Sequence, residues 1–315
     1  MYKIMGKVDL KDQKILTHLQ QDSRQSFTQI GKKVGLPKSV VAYRIKKLEE
    51  KGIIKNYYTV IDSHKLGTII LRFYFTYQYT TPEIKKEIID YFVKCKYCGV
   101  CHTTEGAYEL VVYLFVRNLP EFYVFWQKTL EKYRDYFAKQ TLSFYFQEYI
   151  FSDKEQIKVF GDISKTEIDV VDQKILFLLG ANARISTKDI AKKLDLTAIT
   201  VANRIKKMIK QEIIHGFRTL IDYKKTGKQL YKIDIILKKY NKLMPIINYI
   251  TKNPNMYCVD RTIGYRDLEI ALSLENVGQV HKIMEDLIKK FPESIKDYQY
   301  ISVMETHKLN YIPSI

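Results

Sequence analysis

The chain has 315 residues, 52 Lys+Arg against 35 Asp+Glu for a net charge of +17, and four cysteines. That length allows two to four small domains with cores of their own, and no apolar run approaches the roughly 18 residues of a membrane span, so a soluble cytoplasmic protein is expected. Four cysteines, three of them crowded together, do not make the framework of a small secreted disulfide protein.

Residues 9–67 return as residues 169–227 at a constant offset of 160, with 26 of 59 positions identical and no gap. The charge follows the repeat: residues 1–67 carry +8 and residues 169–227 carry +6, which leaves the rest of the chain close to neutral. Concentrated positive charge favours a polyanion through counterion release, although a lysine-rich solvated surface gives the same sum. The pattern of helices therefore has to decide.

Each repeat opens with a helix whose apolar residues have helical spacing, Ile15, Leu16 and Leu19 in the first copy and Ile175, Leu176 and Leu179 in the second, behind cap residues Asp9 and Asp169. A second helix follows a capping-box pattern, Ser26 to Gln29 and Ser186 to Asp189. After a turn at Gly35 or Asp195, a third helix lines up Val41, Ile45 and Leu48, matched by Val201, Ile205 and Met208. A segment rich in β-branched and aromatic residues, Ile53–Asp62 or Ile213–Asp222, then suits a strand pair. Three short helices and a β wing make a winged helix-turn-helix, whose third helix fits a major groove about 12 Å wide.

Helical geometry turns Lys38, Ser39, Ala42, Tyr43 and Lys46 away from the apolar stripe, and these are the candidate base readers of the first copy. The second copy offers Ala198, Ile199 and Asn203 at the positions of Lys38, Ser39 and Tyr43. Lys46, Lys47, Lys206 and Lys207 suit phosphates. Asn203 is able to bond adenine through both amide groups and Tyr43 is not, so unlike half-sites are expected; the alternative is that both only cover the helix flank. Arg44 and Arg204 lie beside the buried stripe, where an internal ion pair and a phosphate contact are both open.

The segments between and after the repeats alternate in the order βαββαβ: strands over 69–79, 98–104, 108–116 and 141–150 with helices over 82–95 and 119–137, then strands over 230–239, 256–262, 267–274 and 297–304 with helices over 243–252 and 276–291. Such units form a ferredoxin-like four-stranded antiparallel sheet with both helices on one face, and the second copy is available to cover the open face of the first. The expected α+β organisation is a winged helix-turn-helix over 1–67, a ferredoxin-like domain over 68–153, a linker over 154–168, a second winged helix-turn-helix over 169–227 and a second ferredoxin-like domain over 228–315.

Cys95, Cys98, Cys101 and His102 are three thiols and an imidazole at a helix–strand junction. They leave three readings open: core packing, a zinc, iron-sulfur or redox site, and the Cys-x-x-Cys-His haem-attachment spelling. In a regular strand Cys98 and Cys101 point to opposite faces, which disfavours one shared ion. Phosphate-loop and serine-nucleophile signatures are absent, and neither a cofactor nor an enzymatic role is expected.

These residues resemble the Lrp/AsnC, or feast/famine, transcriptional regulators. The resemblance rests on Asp9–Leu16, the Arg24 turn, Ile30–Leu36, Val41–Leu48, Gly52–Ile54 and Gly67, and on the turns Gly106–Leu110 and Gly264–Leu268. It implies a DNA-binding regulator of double-stranded DNA, made here as a covalent pseudodimer that assembles further in many members, with the βαββαβ units sensing a small-molecule effector such as an amino acid. The implied effector residues are Gly106, Tyr108, Glu109, Gly264, Arg266 and Asp267, where Glu109 and Arg266 depart from the family's aspartate and aromatic residue. Pro37 and Glu212 depart too, from a capping Ser or Thr and from a turn glycine. Two alternatives remain: a sirohaem decarboxylase, since such enzymes resemble this family and occur as fused pairs, and a non-specific architectural DNA-binding protein.

Overall fold

The computed structural model describes residues 8–153, 156–159 and 166–312. The chain divides into two compact units that do not follow the order of the repeats: one joins Met1–Asp62 to Thr166–Lys228, the other joins Ser63–Lys165 to Gln229–Ser314. Like elements of the two copies have therefore combined with each other.

In the first unit, helices α1 (Leu10–Gln21), α2 (Phe27–Val34) and α3 (Lys38–Glu50) are matched by α6 (Val170–Ala181), α7 (Thr187–Leu194) and α8 (Ala198–Lys210). The caps are those read from the sequence: Asp9 and Asp169 accept from the amides of Asp12 and Asp172, and Ser26 and Gln29 form a reciprocal box. Ile15, Leu19, Ile30 and Val41 are fully buried, as are Ile175, Leu179, Ile190 and Val201. The strand pair expected after each third helix forms between the copies instead of within them. β1 (Ile54–Ile61) pairs antiparallel with β7 (Ile214–Ile221), Tyr57 opposite Thr219.

This exchange is fastened in both directions. The Thr59 hydroxyl donates to the Leu179 carbonyl at 2.7 Å and Thr219 to Leu19 at 3.1 Å. Arg24 reaches the carbonyls of Ala183 at 2.6 Å and Ile185 at 2.9 Å, and Arg184 reaches back to the Ser23 carbonyl. A lone strand has unpaired backbone on both sides, so the partner copy removes a cost that a single module would carry.

The second unit holds β2 (Ile69–Tyr77), α4 (Pro82–Lys94), β3 (Cys98–Gly106), β4 (Leu110–Val116), α5 (Leu119–Tyr133), β5 (Phe137–Asp153) and β6 (Gln156–Val159), then β8 (Gln229–Leu237), α9 (Leu243–Ile250), β9 (Met256–Gly264), β10 (Leu268–Leu274), α10 (Val277–Lys290) and β11 (Ile295–Leu309). Strand β6 falls within the segment read as a linker. The sheet order runs β2-β4-β3-β11-β8-β10-β9-β5-β6, and β5 also pairs with β2. Eight strands thus close on themselves: two ferredoxin-like sheets joined edge to edge, β3 to β11 and β5 to β9, make an antiparallel barrel.

Alternation along the strands separates two environments. Leu71, Phe73 and Phe75 of β2 face outward into a core with Ile88 and Phe92 of α4, Phe122 of α5 and Trp126, whose ring lies 4.2 Å from Phe73. Ile233, Ile235, Ile270 and Leu272 make the matching core with α9 and α10. The intervening residues line the lumen.

Candidate nucleic-acid interface

The third helix of each repeat keeps its apolar stripe buried and its other face in solvent. Lys38, Ser39, Tyr43, Lys46 and Lys47 of α3 are exposed, as are Ile199, Asn203, Lys206 and Lys207 of α8, while Ala198 is half-buried. Tyr43 is 62 % exposed and Ile199 74 %, so both side chains stand free on the solvent face of their helices. Glu50 touches Lys47 at 2.9 Å and Lys46 at 4.0 Å, but surface pairs of this kind are worth little and leave the lysines available. The helix starts differ as the sequence indicates: Thr197 accepts from the Thr200 amide at 3.1 Å, whereas Pro37 caps α3 with no side-chain bond.

Arg44 and Arg204, included among the expected DNA contacts, make the internal ion pair that their place beside the stripe also allowed. The Arg44 guanidinium lies 2.6 Å from Asp9 and 2.8 Å from Asp12, and Arg204 lies 2.7 Å from Asp169 and 2.9 Å from Asp172. The hydrogen bonds to Asp9 and Asp12 raise the Arg44 pKa, and that to Arg44 lowers the Asp9 carboxyl below its usual value. Each arginine therefore ties its third helix to the start of the first. Both bonds of each arginine come from one terminal nitrogen of the guanidinium, so the ion pairs hold the side chain inside its own module and use only part of its five donors.

The turns after the third helices carry a strain difference between the copies. Gly52 has φ +63°, and Glu212 takes the same left-handed conformation at φ 55°. A residue with a side chain pays for this region and glycine does not. Glu212→Gly should raise stability by about 1 kcal/mol, measured by urea unfolding, and Gly52→Ala should lower it by about as much.

The implied effector residues are engaged internally. Gly106 and Gly264 adopt φ +115° and +112°, and a side chain at Gly106 would stand 2.8 Å from the Tyr300 carbonyl oxygen. Glu109 accepts from the Tyr77 amide at 2.8 Å and from Lys85 at 2.6 Å; Asp267 accepts from the Leu237 amide at 2.8 Å. These two carboxylates staple equivalent strand ends, so the repeat preserves them as scaffold. Tyr108 is fully buried and meets Thr141 at 3.2 Å, and Arg266 donates to Asp297 at 2.7 Å and Gln299 at 2.9 Å.

The four residues Cys95, Cys98, Cys101 and His102 do not converge. A register shift between Cys98 and Val100 puts Cys98 and Cys101 together in the helix-side core, against the regular-strand expectation, while His102 faces the lumen and meets the Thr306 hydroxyl at 3.0 Å. Burial depresses the His102 pKa to about 3 and pushes Cys98 up to about 12. These thiols and this imidazole are neutral core groups.

Single-residue reading missed the charged network in the lumen. Arg72 donates to Asp260 at 2.5 Å and lies 3.2 Å from Glu269; Lys232 bonds Glu269 and the Tyr113 hydroxyl, both at 2.7 Å. All four charged groups are essentially buried. Burial raises Asp260, and burial followed by the repulsion of Glu269 raises Asp234 to about 7; Arg72 and Lys232 overcome burial to hold Glu269 at about 2. Asp234 thus folds with a proton that the unfolded chain releases near pH 4. Its contribution to stability is full below that pH and is lost as pH rises through about 7. Asp234→Asn keeps a neutral group there, so the melting-temperature gain of the variant over the parent should grow between about pH 4 and pH 7.5.

A model described as winged helix-turn-helix DNA-binding matches the chain twice, at residues 8–55 and 168–215. An uncharacterised HTH-type transcriptional regulator of Pyrococcus furiosus is 31 % identical over 122 residues, covering 39 % of this chain and 82 % of the relative. The HTH-type transcriptional regulator LrpA of Pyrococcus horikoshii is 32 % identical over 111 residues, covering 35 % of this chain and 77 % of that protein. In fold, the crystal structure of the siroheme decarboxylase NirDL is similar over 97 % of this chain and 94 % of its own, with a TM-score of 0.61 at 13 % identity. Among the described residues no helix is long and apolar enough to cross a membrane. Both copies carry the same module at the same spacing, and the chain belongs to the Lrp/AsnC family of HTH-type transcriptional regulators, with the family's unit written twice in one polypeptide.

Proposed function

We propose that this chain is a sequence-specific, double-stranded-DNA-binding transcription regulator that reads two unlike half-sites with α3 and α8. The observation that carries the reading is the solvent-facing side of both third helices, lysine-rich in each copy and different at the base-reading positions. Lys46, Lys47, Lys206 and Lys207 hold phosphates, Tyr43 with Lys38 and Ser39 meets one half-site, and Asn203 meets the other, preferring adenine. The covalent pseudodimer sets the spacing, about 34–36 Å or a multiple of it between half-sites.

In-vitro selection of bound DNA by the full chain should return an asymmetric site, and Asn203→Ala should relax preference in one half only, by about 1–3 kcal/mol at one base pair. A symmetric palindrome unchanged by Asn203→Ala contradicts this. Excess random DNA separates a specific regulator from an architectural protein. Effector control, implied by the family, is tested by adding amino acids to the same titration: a real effector shifts DNA affinity, and DNA shifts effector affinity equally.

The sirohaem decarboxylase reading has one observation behind it, the fold likeness along the whole chain. A sample that changes sirohaem absorbance and lacks salt-sensitive DNA affinity would put that reading first.

A further inference from the structure

A second chemistry sits in the lumen beside the ion network. Cys258 and Asp260 stand two residues apart on β9 and share its inner face, and Glu148 of β5 lies directly across from Asp260 in the strand register. The three side chains offer donor atoms that all lie within 4.8 Å of one another, and all three are buried. Asp260 gives one oxygen to Arg72, while its Oδ1 is buried without a hydrogen-bond partner. An orphaned carboxylate oxygen in such a place is destabilising unless something completes it. A thiol and two carboxylates on adjacent strands are the donor types that borderline-soft divalent ions take.

From this geometry we infer that Glu148, Cys258 and Asp260 form a binding site for a zinc-class divalent cation inside the barrel. One thiolate and two carboxylates supply three ligands, and water completes the four-coordinate shell. The surplus negative charge is balanced by Arg72 on Asp260 and by Lys232, whose charge acts on both Glu148 and Cys258. Burial raises the Cys258 thiol, Asp260 and Glu148, and a bound ion would pull these groups back toward their deprotonated, ligating forms. The ligands come from both copies, Glu148 from the first and Cys258 and Asp260 from the second. The positions equivalent to them by register, Thr306, Val100 and His102, make no such set, so among the described residues each chain offers one such site.

The test is cobalt(II) titration of the full chain under reducing conditions, with refolding in the presence of the ion to admit it to the lumen. One equivalent should bind with a thiolate-to-cobalt charge-transfer band, displaced by zinc. The band should vanish in Cys258→Ser and persist in Cys95→Ser/Cys98→Ser/Cys101→Ser. Glu148→Gln should weaken binding at least ~10-fold, the least that losing a group behind the ligands costs. Zinc should also raise the melting temperature of the parent and not of Cys258→Ser. Absence of the band in folded parent protein at saturating cobalt, or a band that survives Cys258→Ser, overturns the site.

Discussion

Replacing Lys46, Lys47, Lys206 and Lys207 together by alanine should lower the slope of log affinity against log salt by about 3.6, since each phosphate contact contributes about 0.9. Raising salt from 50 to 200 mM would then cost the variant about 100-fold less affinity than it costs the parent, and at low salt the variant should bind correspondingly more weakly. The four side chains are exposed and outside the packed stripe, so folding should be unaffected. Affinity measured by fluorescence anisotropy at several salt concentrations checks both numbers. A slope unchanged by the four substitutions would take these helices off the DNA. Substituting Arg44 or Arg204 should instead reduce stability, because each clamps two carboxylates within its own module.

Glu269→Gln should destabilise the barrel by about 3–5 kcal/mol, the cost of breaking a buried ion pair from one side. Glu269 Oε1 is shared by Arg72 and Lys232, and the amide leaves both buried cations facing one carboxylate fewer. Removing Lys232 at the same time restores part of the balance, so Lys232→Met/Glu269→Met should cost less than the sum of the single changes by more than about 1 kcal/mol. Urea unfolding of the four proteins in the cycle gives the coupling directly. Additive losses would mean that the two groups do not share charge as the distances indicate.

Much of the architecture is legible along the chain because its signals are local. The capping residues and the buried triplets such as Val41, Ile45 and Leu48 each lie within a few turns of helix, the βαββαβ order follows from alternation, and the 160-residue offset shows on direct alignment of the chain with itself. What pairs across copies leaves no local trace. Nothing within Ile54–Ile61 says that its partner is Ile214–Ile221, and nothing in either sheet announces closure into a barrel. The Cys98–Val100 irregularity also escapes a period-two reading, since one extra residue turns the following side chains to the other face.

The lumen network was hidden differently. Arg72, Lys232, Asp234 and Glu269 alternate with apolar residues, which is the pattern of an ordinary strand with one wet face. The usable signal is that two sheets with such faces, in one chain, have only each other to cover them. Arg44 and Arg204 show the limit at the interface itself: their place beside the stripe was readable, but the choice between carboxylate and phosphate needed the position of Asp9 and Asp12.

The lumen is also lopsided. Its large aromatic rings, Tyr74, Tyr113 and Tyr145, come from one half of the gene, and Asp234, Asp260 and Glu269 come from the other. Two first halves joined face to face would strand each Arg72 without Asp260 and Glu269, and two second halves would set six carboxylates around two lysines. Neither half is then fit to mate with itself. If the chain were cut between the repeats, each half would find a better-matched partner in the other half than in a second copy of itself.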